Sequence, residues 1–407
     1  MPVQRSERSI VFLVGAVQFV NILDFMMVMP LGPDFAADLG IPTSHLGYIG
    51  GSYTAAAAVT GLVCSFFLER FDRRKALAVA MLGLCLVTAL GAAAVDLWTL
   101  LGARVLAGCF GGPATSIALA IIADVIPPER RGRAMGAVMG AFALASVLGV
   151  PAGLELSRRG GWQLPFLAVA GLGLVIAALA VFLLPPMRLH LQAQPDATPQ
   201  RYFDLFTRPG VALAYVTTAV VMVSAFAIIP NISAYLQNNL HWPRADMGWL
   251  YLAGGSVSFF TTRLVGRLVD QFGAFRMATL GCIGVAIVLW TGFYQVPALL
   301  PVPALFVGLM MSMSFRNVPF NTLISMVPGP QQRAQFMSLQ SSVQHLGASG
   351  GAFLSSVFLT ERADHGLDGM ASVVVVSLVL TALLPALFHA LERVVKQPPQ
   401  PVPVPAM

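Results

Sequence analysis

The chain has 407 residues, of which 57% are hydrophobic and only 10% are charged, and its formal net charge is +6. Soluble proteins carry about 25% charged residues, so this composition excludes a soluble enzyme. The 38 glycines and 28 prolines show no repeating period, which excludes a fibrous protein. A protein that crosses the membrane several times remains.

Twelve apolar runs follow one another along the chain. A bilayer core of about 30 Å requires roughly 20 apolar residues per helix. Helices are the only structures that span a lipid bilayer besides closed β-barrels. The predicted spans are 9–31, 46–68, 75–94, 97–123, 134–156, 163–185, 210–236, 247–267, 276–295, 299–326, 335–358 and 369–391. The first run is too long for a signal-peptide core and no small-residue cleavage site follows it, so we expect it to be retained.

The basic residues lie mainly in alternate connections between the spans. Most of the 24 Lys and Arg residues fall on the side of the N-terminus, and the other side holds only Arg158, Arg159, Arg244 and Arg362. Because cytoplasmic loops are enriched in positive charge, both termini are predicted to be cytoplasmic. The membrane is predicted to be the cell (inner) membrane. The same bias explains the basic pI, so nucleic acid is not an expected partner.

A long polar segment divides the spans six and six. The predicted units are an N-terminal six-helix half (1–186), a cytoplasmic linker (187–208), a C-terminal six-helix half (209–394) and a Pro-rich disordered tail (395–407). The halves match at an offset of 200 or 201, for example Pro30 with Pro230 and Phe35 with Tyr235. Repeated halves of this kind predict a substrate site near the midplane between them, reached by alternating access.

Two of the predicted cytoplasmic connections carry related motifs. The first-half motif contains Glu69, Arg70, Arg73 and Arg74, and the second-half motif contains Gly266, Asp270 and Gly273. Together with the repeat, these motifs resemble the G-x-L-x-D-x-x-G-R-[KR] loop of the major facilitator superfamily. The resemblance implies an all-α polytopic fold of twelve transmembrane helices in two pseudo-symmetric halves, with the loops latching the outward-facing state. In the first copy Ser65 and Asp72 replace the glycines, and an ordinary basic loop is the alternative.

Two further motifs point to one branch of that family. Leu100-x-x-x-Arg104-x-x-Ala107-Gly108 is similar to a family motif associated with proton coupling, with alanine in place of glutamine. In the fifth span, Gly136-x-x-x-Gly140 and then Gly149-Val-Pro151-Ala-Gly153 resemble the glycine-rich motif of drug and sugar antiporters. Such glycines mostly serve helix packing, so their functional value is as a marker of the branch.

Three charged residues lie deep within the predicted spans. A charge at the centre of a bilayer costs at least about 2.5–3.5 kcal/mol, so such residues need a partner or a polar cavity. Asp24 and Arg104 lie at matching depths, and we predict that Asp24 is the proton-coupling carboxylate and that Arg104 tunes it; a purely structural ion pair is the alternative. Arg316 is predicted to contact an anionic substrate, the alternatives being bonds to backbone carbonyls or to Asp24.

Polar residues in several spans recur at helical spacing and predict a polar-walled cavity, because polar groups facing lipid would lack partners. The candidate substrate-binding residues, besides Arg316, are Gln18, Asn21, Asn231, Tyr235, Asn317, Asn321, Gln340, Gln344 and His345. His345 could titrate near neutral pH, although a hydrogen-bonded structural histidine is the alternative.

The sequence therefore predicts a secondary transporter, a proton-coupled antiporter that exports a small organic molecule such as a drug-like compound, sugar or metabolite. No phosphate-cradling G-x-x-x-x-G-K-[ST] loop and no convergent catalytic or metal-ligand set occurs, so no enzyme activity, cofactor or metal is expected. The expected partners are a small-molecule substrate, protons and the lipid bilayer, and the chain is expected to be a monomer. The alternatives are a symporter or exchanger for an organic anion or sugar, or a membrane sensor.

Overall fold

The computed structural model describes residues 7–67, 71–185, 187, 209–294, 299–328 and 333–396. Helices occupy most of these ranges because long apolar runs leave the backbone no hydrogen-bonding partners but its own groups. The principal helices are α1 (Glu7–Met27), α2 (Gly32–Leu39), α3 (Leu46–Phe67), α4 (Arg73–Gly91), α5 (Leu97–Val125), α6 (Pro128–Leu144), α7 (Val150–Gly160), α8 (Gln163–Leu183), α9 (Pro209–Phe226), α10 (Met247–Phe272), α11 (Ala274–Leu289), α12 (Val302–Met326), α13 (Arg333–Phe358) and α14 (Met370–Lys396). A short antiparallel hairpin, β1 (Thr360–Glu361) with β2 (Leu367–Asp368), joins α13 to α14.

Each predicted span overlaps one of these helices or a pair of them. Eight helical stretches in the described ranges are long and apolar enough by themselves to cross a membrane. The remaining long helices, α3, α10, α12 and α13, contain more small or polar residues. The helix of the first predicted span ends at Met27, a few residues before the predicted boundary, and Pro30 and Pro33 follow in the turn and in α2.

Hydrogen bonds hold the second half of the loop before α4, which is predicted to be cytoplasmic. Asp72 has φ −58° and caps α4 by accepting from the Arg74 amide, so replacing the family glycine here causes no backbone strain. Arg73 pairs with Asp124 at 2.5 Å, and Arg74 donates to the Leu184 carbonyl. These contacts tie α4 to the inner ends of α5 and α8. Glu69 and Arg70 lie outside the described residues, as do the predicted linker except residue 187 and the tail beyond Lys396.

The second copy of the loop joins α10 to α11. Gly273 has φ +87°, a conformation that favours glycine, and it ends α10 and begins α11. Asp270 is exposed on the last turn of α10. Gly266 has no heavy atom within 4 Å of where a Cβ would lie, so it makes no close helix contact.

The fifth predicted span is interrupted by a π-helical turn, Ala145–Gly149, between α6 and α7. Pro151 follows this turn, and because its ring cannot fit against the carbonyl four residues earlier, the helix widens there. At Gly149 a Cβ would meet Leu23 of α1 at 2.6 Å. Gly153 makes only ordinary van der Waals contacts, and no atom of the described residues lies within 4 Å of where a Cβ on Gly136 or Gly140 would be. The packing role expected for the Gly136 and Gly140 pair is therefore not seen among the described residues.

The widened turn is also a contact between the halves. Gly255 of α10 packs on it so closely that a Cβ would lie 3.0 Å from the Ser146 carbonyl oxygen and 3.1 Å from the Val147 Cα. A second contact joins α3 to α13, where a Cβ on Gly47 would lie 2.2 Å from the Ala352 carbonyl oxygen. Small residues thus allow the two halves to approach at the backbone, as in other membrane helix pairs.

Polar bonds close the bundle at the end predicted to face outside. Arg244, which precedes α10, donates to both carboxylate oxygens of Asp34 in α2, and Ser157 of α7 donates to the same carboxylate at 2.8 Å. The Thr43 amide donates to Glu361 of the hairpin at 2.6 Å, and Ser233 donates to the Pro30 carbonyl at 3.0 Å. Three separate links therefore hold the two halves together at this end.

The opposite end lacks a shared core in the described residues. One hydrophobic cluster extends from the N-terminal half into the outer part of the C-terminal half. A second cluster fills the inner part of the C-terminal half, and Leu62 of α3 is the N-terminal-half residue packed against it. The halves are therefore joined at one end and largely separate at the other.

We predict that Arg244→Glu will loosen the closed end. Reversing one charge of a partly buried ion pair lowers the free energy of local unfolding by about 1 kcal/mol or more. The population of the locally open state should therefore rise by about fivefold or more. Hydrogen exchange followed by mass spectrometry should show faster amide exchange across residues 30–46 and 229–240.

The double variant Asp34→Arg with Arg244→Glu should restore slow exchange. Arg362→Glu is the matched control, because Arg362 pairs with Asp364 and Asp368 inside one hairpin. Unchanged exchange in Arg244→Glu would show that the ion pair does not hold the halves together.

Candidate functional site

Asp24 and Arg104 form a buried ion pair in the N-terminal half. Asp24 is 0% exposed and Arg104 is 1% exposed. Arg104 Nη1 lies 3.1 and 3.3 Å from the two carboxylate oxygens, and its Nη2 donates to the Asp24 carbonyl. Thr88 of α4 donates to the same carboxylate at 2.8 Å. Three helices, α1, α4 and α5, thus converge on one carboxylate.

Tyr53 of α3 connects this pair to a second polar group. The Arg104 guanidinium lies over the Tyr53 ring, 4.6 Å from its centroid, a favourable cation–π position. The Tyr53 hydroxyl donates to Asn21 Oδ1 at 2.8 Å. Asn21 Nδ2 in turn donates to the Gly111 carbonyl and to Thr115 on α5. Asn21 lies one helical turn before Asp24, so both residues share a face of α1.

A cavity of about 60 Å³ opens beside this network. It lies between the halves, because His345 of α13 lines it together with residues of α1, α3 and α5. The lining consists of Asn21, Ile22, Phe25, Tyr53, Ala57, Gly111, Gly112, Thr115 and His345. Phe25 stacks on Tyr53 and also contacts Phe226 of α9, with ring centroids 5.4 and 6.0 Å apart. The volume suffices for a few waters, so a larger molecule requires the halves to separate.

The structure brings together only some of the predicted substrate residues. Asn21 and His345 line the cavity. Asn231 is buried and bonds to Ser355 of α13, and Gln340 bonds to Thr218 of α9 at 2.6 Å. These two residues connect helices within the C-terminal half.

The other predicted residues lie apart from the cavity lining. Gln18 is buried in α1, and Tyr235 is buried against Phe293 with ring centroids 5.1 Å apart. Asn317 and Gln344 are half-buried, and Asn321 is exposed on α12. A single polar wall containing all the predicted residues is therefore not present in this conformation.

Arg316 is buried within the C-terminal half, and it is not a lining residue of the cavity. Its Nη1 donates to Ser224 of α9 at 3.3 Å and its Nε donates to the neighbouring Asn317 at 3.4 Å. Asp24 is engaged by Arg104 instead. The predicted alternative of an ion pair between Arg316 and Asp24 is therefore wrong in this conformation.

Sequence reasoning missed Tyr53, Thr88 and Thr115. All three lie in predicted spans, where tyrosine and threonine are common and give no sign of their partners. The useful signal was indirect, because a deep carboxylate requires donors in addition to one arginine.

A bundle of long apolar helices in two joined halves, with a buried ion pair beside a cavity between them, defines a polytopic membrane transporter. The sequence matches the profile of the Major Facilitator Superfamily over residues 14–352, so the chain belongs to this family. Its members are transporters and not enzymes, and this chain is a multi-pass integral membrane protein.

Three similar proteins illustrate the relationship. The inner membrane transport protein YdhP of Escherichia coli (strain K12) is 29% identical over 60% of this chain and 61% of its own length. The multi-drug resistance efflux pump PmrA homolog of Lactococcus lactis is 24% identical over 87% of this chain and 89% of its own. The crystal structure of a bacterial homolog of the human lysosomal transporter Spinster, inward-facing and unoccupied, superposes with a TM-score of 0.75 at 16% identity, covering 96% of this chain and 98% of the other.

We predict that Asp24→Asn lowers the free energy of unfolding by about 3–5 kcal/mol, because removing one partner of a buried ion pair leaves the other charge uncompensated. Arg104→Gln should have a comparable effect. The double variant should be less destabilised than the sum of the two, which thermal unfolding in detergent will measure.

Thr88→Ala serves as the comparison, because it removes one bond to the carboxylate and leaves the ion pair intact. Its effect should be about 1.5–3 kcal/mol. Strictly additive effects of Asp24→Asn and Arg104→Gln would show that the pair contributes no coupling energy.

Proposed function

We propose that the protein is a proton-coupled antiporter that exports a small organic molecule, with Asp24 as the coupling carboxylate and Arg104 as its tuning partner. The observation that carries this proposal is the continuous line of contacts from the cavity through Asn21 and Tyr53 to Arg104 and Asp24. The name of the Lactococcus relative, a multi-drug resistance efflux pump homolog, supports the direction of transport.

The contact line provides a physical route for exchanging substrate and proton. A molecule that bonds to Asn21 or stacks on Tyr53 competes with the bond between the two residues. Any shift of the Tyr53 ring changes the surface on which Arg104 rests, and therefore the strength of its bonds to Asp24. Because the carboxylate is fully buried, a weaker bond to Arg104 leaves its charge less compensated, and uptake of a proton would remove that charge. Substrate and proton would then occupy the site in alternation.

The lining indicates the chemistry of the substrate. Aromatic and aliphatic groups, Phe25, Tyr53 and Ile22, supply most of the wall, while Asn21, Thr115 and His345 supply the polar groups. A pocket of this kind suits a neutral or weakly basic molecule with an aromatic or apolar part. It gives no support to a strongly anionic substrate at this position.

Transport into proteoliposomes tests the coupling, with the neutral aromatic molecule chloramphenicol as the probe. An antiporter accumulates the probe when the vesicle interior is acidic, because outward proton flow drives uptake. Asp24→Asn should abolish this accumulation while keeping the exchange of labelled for unlabelled probe, which requires no net proton movement. Accumulation with an alkaline interior would instead identify a symporter.

Asp96→Asn is the matched control for the same chemical change. Asp96 caps α5 through its bond from the Thr99 amide, and that bond is the main reason why its pKa lies below the ordinary value. Asparagine caps helices as well as aspartate, so this variant should transport like the wild type. Full gradient-driven transport by Asp24→Asn would remove Asp24 from the coupling role.

Alternating access requires the inner ends of the halves to meet in the opposite state. Helix α10 runs antiparallel to α6 and touches the π-helical turn that follows α6, where Ser146 faces Gly255. About ten residues further toward the predicted inner end lie Gly136 on α6 and Gly266 on α10, and no atom of the described residues lies within 4 Å of where a Cβ on either would be. We infer that these glycines form the contact between α6 and α10 when the inner side closes.

Cysteine cross-linking tests this contact. In a background without the four native cysteines, the pair Gly136→Cys and Gly266→Cys should form a disulfide under turnover conditions, and the cross-link should stop transport. The control pair is Gly136→Cys and Gly171→Cys, because Gly171 is an equally open glycine on α8. This pair should not cross-link, because the proposed closure brings α6 against α10 and not against α8. Absence of a disulfide in the first pair during active transport would contradict the proposed closure.

A further inference from the structure

Arg316 is a buried cation that pairs with no carboxylate among the described residues. It is 1% exposed, and its hydrogen bonds to Ser224 and Asn317 are long, at 3.3 and 3.4 Å, and go to neutral oxygens. Its Nη2 has no hydrogen-bond partner within the part of the chain that the structure describes. A guanidinium retains its charge in proteins. Arg316 therefore cannot avoid the desolvation cost of burial by losing a proton.

The internal repeat shows which group is missing. Ser224 follows Asp24 by 200 residues, the same offset that aligns Pro30 with Pro230. Each of these two residues is contacted by an arginine from the fourth long helix of its own half, Arg104 of α5 and Arg316 of α12. The arginines approach from different levels, but the position that they contact is equivalent. The C-terminal half thus has the cation and a serine where the N-terminal half has the carboxylate.

The hydroxyl donors nearest to Ser224 are already engaged. Ser377 of α14 donates to the Ser224 carbonyl at 2.7 Å, which brings α14 against α9, and the Ser224 hydroxyl itself donates to the Val221 carbonyl at 3.0 Å. Thr381 lies one helical turn beyond Ser377, is 1% exposed, and its hydroxyl has no partner among the described residues. The open donor at Arg316 is therefore its own Nη2, and a guanidinium donor without a carboxylate partner is the chemistry that binds an anion.

We propose that a small monovalent anion, either free chloride or the carboxylate group of a bound molecule, binds beside Arg316 and Ser224, in the place that the Asp24 carboxylate fills in the other half. The anion supplies the opposite charge that compensates the desolvation cost of burying Arg316. This site is separate from the cavity beside Asn21, so it can be present or absent whatever the coupling role of Asp24.

Thermal unfolding of the purified full chain tests the proposal, with sodium chloride as the probe. The buffer anion is a bulky sulfonate, and ionic strength is held constant as chloride replaces it. Because a ligand that binds only the folded state stabilises it, chloride should raise the melting temperature of the wild type by a few degrees in a saturable manner. A wild type that does not respond to chloride or formate overturns the proposal.

Ser224→Asp is the decisive variant. Its carboxylate extends one bond further than the serine hydroxyl, which already lies 3.3 Å from Arg316 Nη1. The variant should melt at or above the wild type in chloride-free buffer and should not respond to chloride. Ser224→Ala is the matched control, which keeps the cation unpaired and should still respond. A Ser224→Asp protein that responds like the wild type contradicts the site.

Arg316→Gln provides a second line of evidence, and it should also lose the response while remaining folded without chloride. The size of the probe anion distinguishes the two sources, a free small ion and the carboxylate group of a larger molecule. If formate replaces chloride but benzoate does not, the site holds a free small ion. If benzoate stabilises the wild type and not Ser224→Asp, the site accepts the carboxylate of a larger molecule. Transport assays of Asp24→Asn are independent of all these measurements.

Discussion

The compensation of charge inside the bilayer is the constraint on which this structure depends. Asp24 is 0% exposed, and among the described residues Arg104 and Thr88 supply the hydrogen-bond donors to its carboxylate. This requirement fixes α1, α4 and α5 against one another at a common level. Tyr53 then packs under the guanidinium and carries the arrangement to α3 and to the cavity. The site is therefore a consequence of neutralising a single carboxylate.

The two halves share their scaffold but differ in their chemistry. The N-terminal half contains a complete ion pair, whereas the C-terminal half places a serine opposite its arginine. Residues such as Asn231 and Gln340 join helices within the C-terminal half. His345 is the residue by which that half reaches the cavity beside Asn21. The repeat is thus visible in the helix order of the two halves, while their buried polar residues differ.

Contacts between the halves are of two kinds. At the closed end, the Asp34 and Arg244 pair and the Thr43 and Glu361 bond are polar and partly exposed, so they can break and re-form at modest cost. Near the middle, Gly255 and the π-helical turn meet at backbone distance. Closely packed small residues at the centre and breakable polar bonds at the end are suited to rocking about a central contact.

The sequence by itself determined the membrane class, the family, the helix positions and the three deep charges, because each depends on composition, run length or motif spacing. It also indicated the contact between Asp24 and Arg104, since their depths match on neighbouring helices. It did not locate Tyr53, Thr88 or Thr115, and it placed Arg316 and several amides in a common cavity that the structure divides. Which face a polar residue presents, and to which neighbour, depends on helix rotation and on the relative position of the halves. Only the tertiary structure decides those, because many rotations satisfy the same hydropathy and few satisfy every buried polar group.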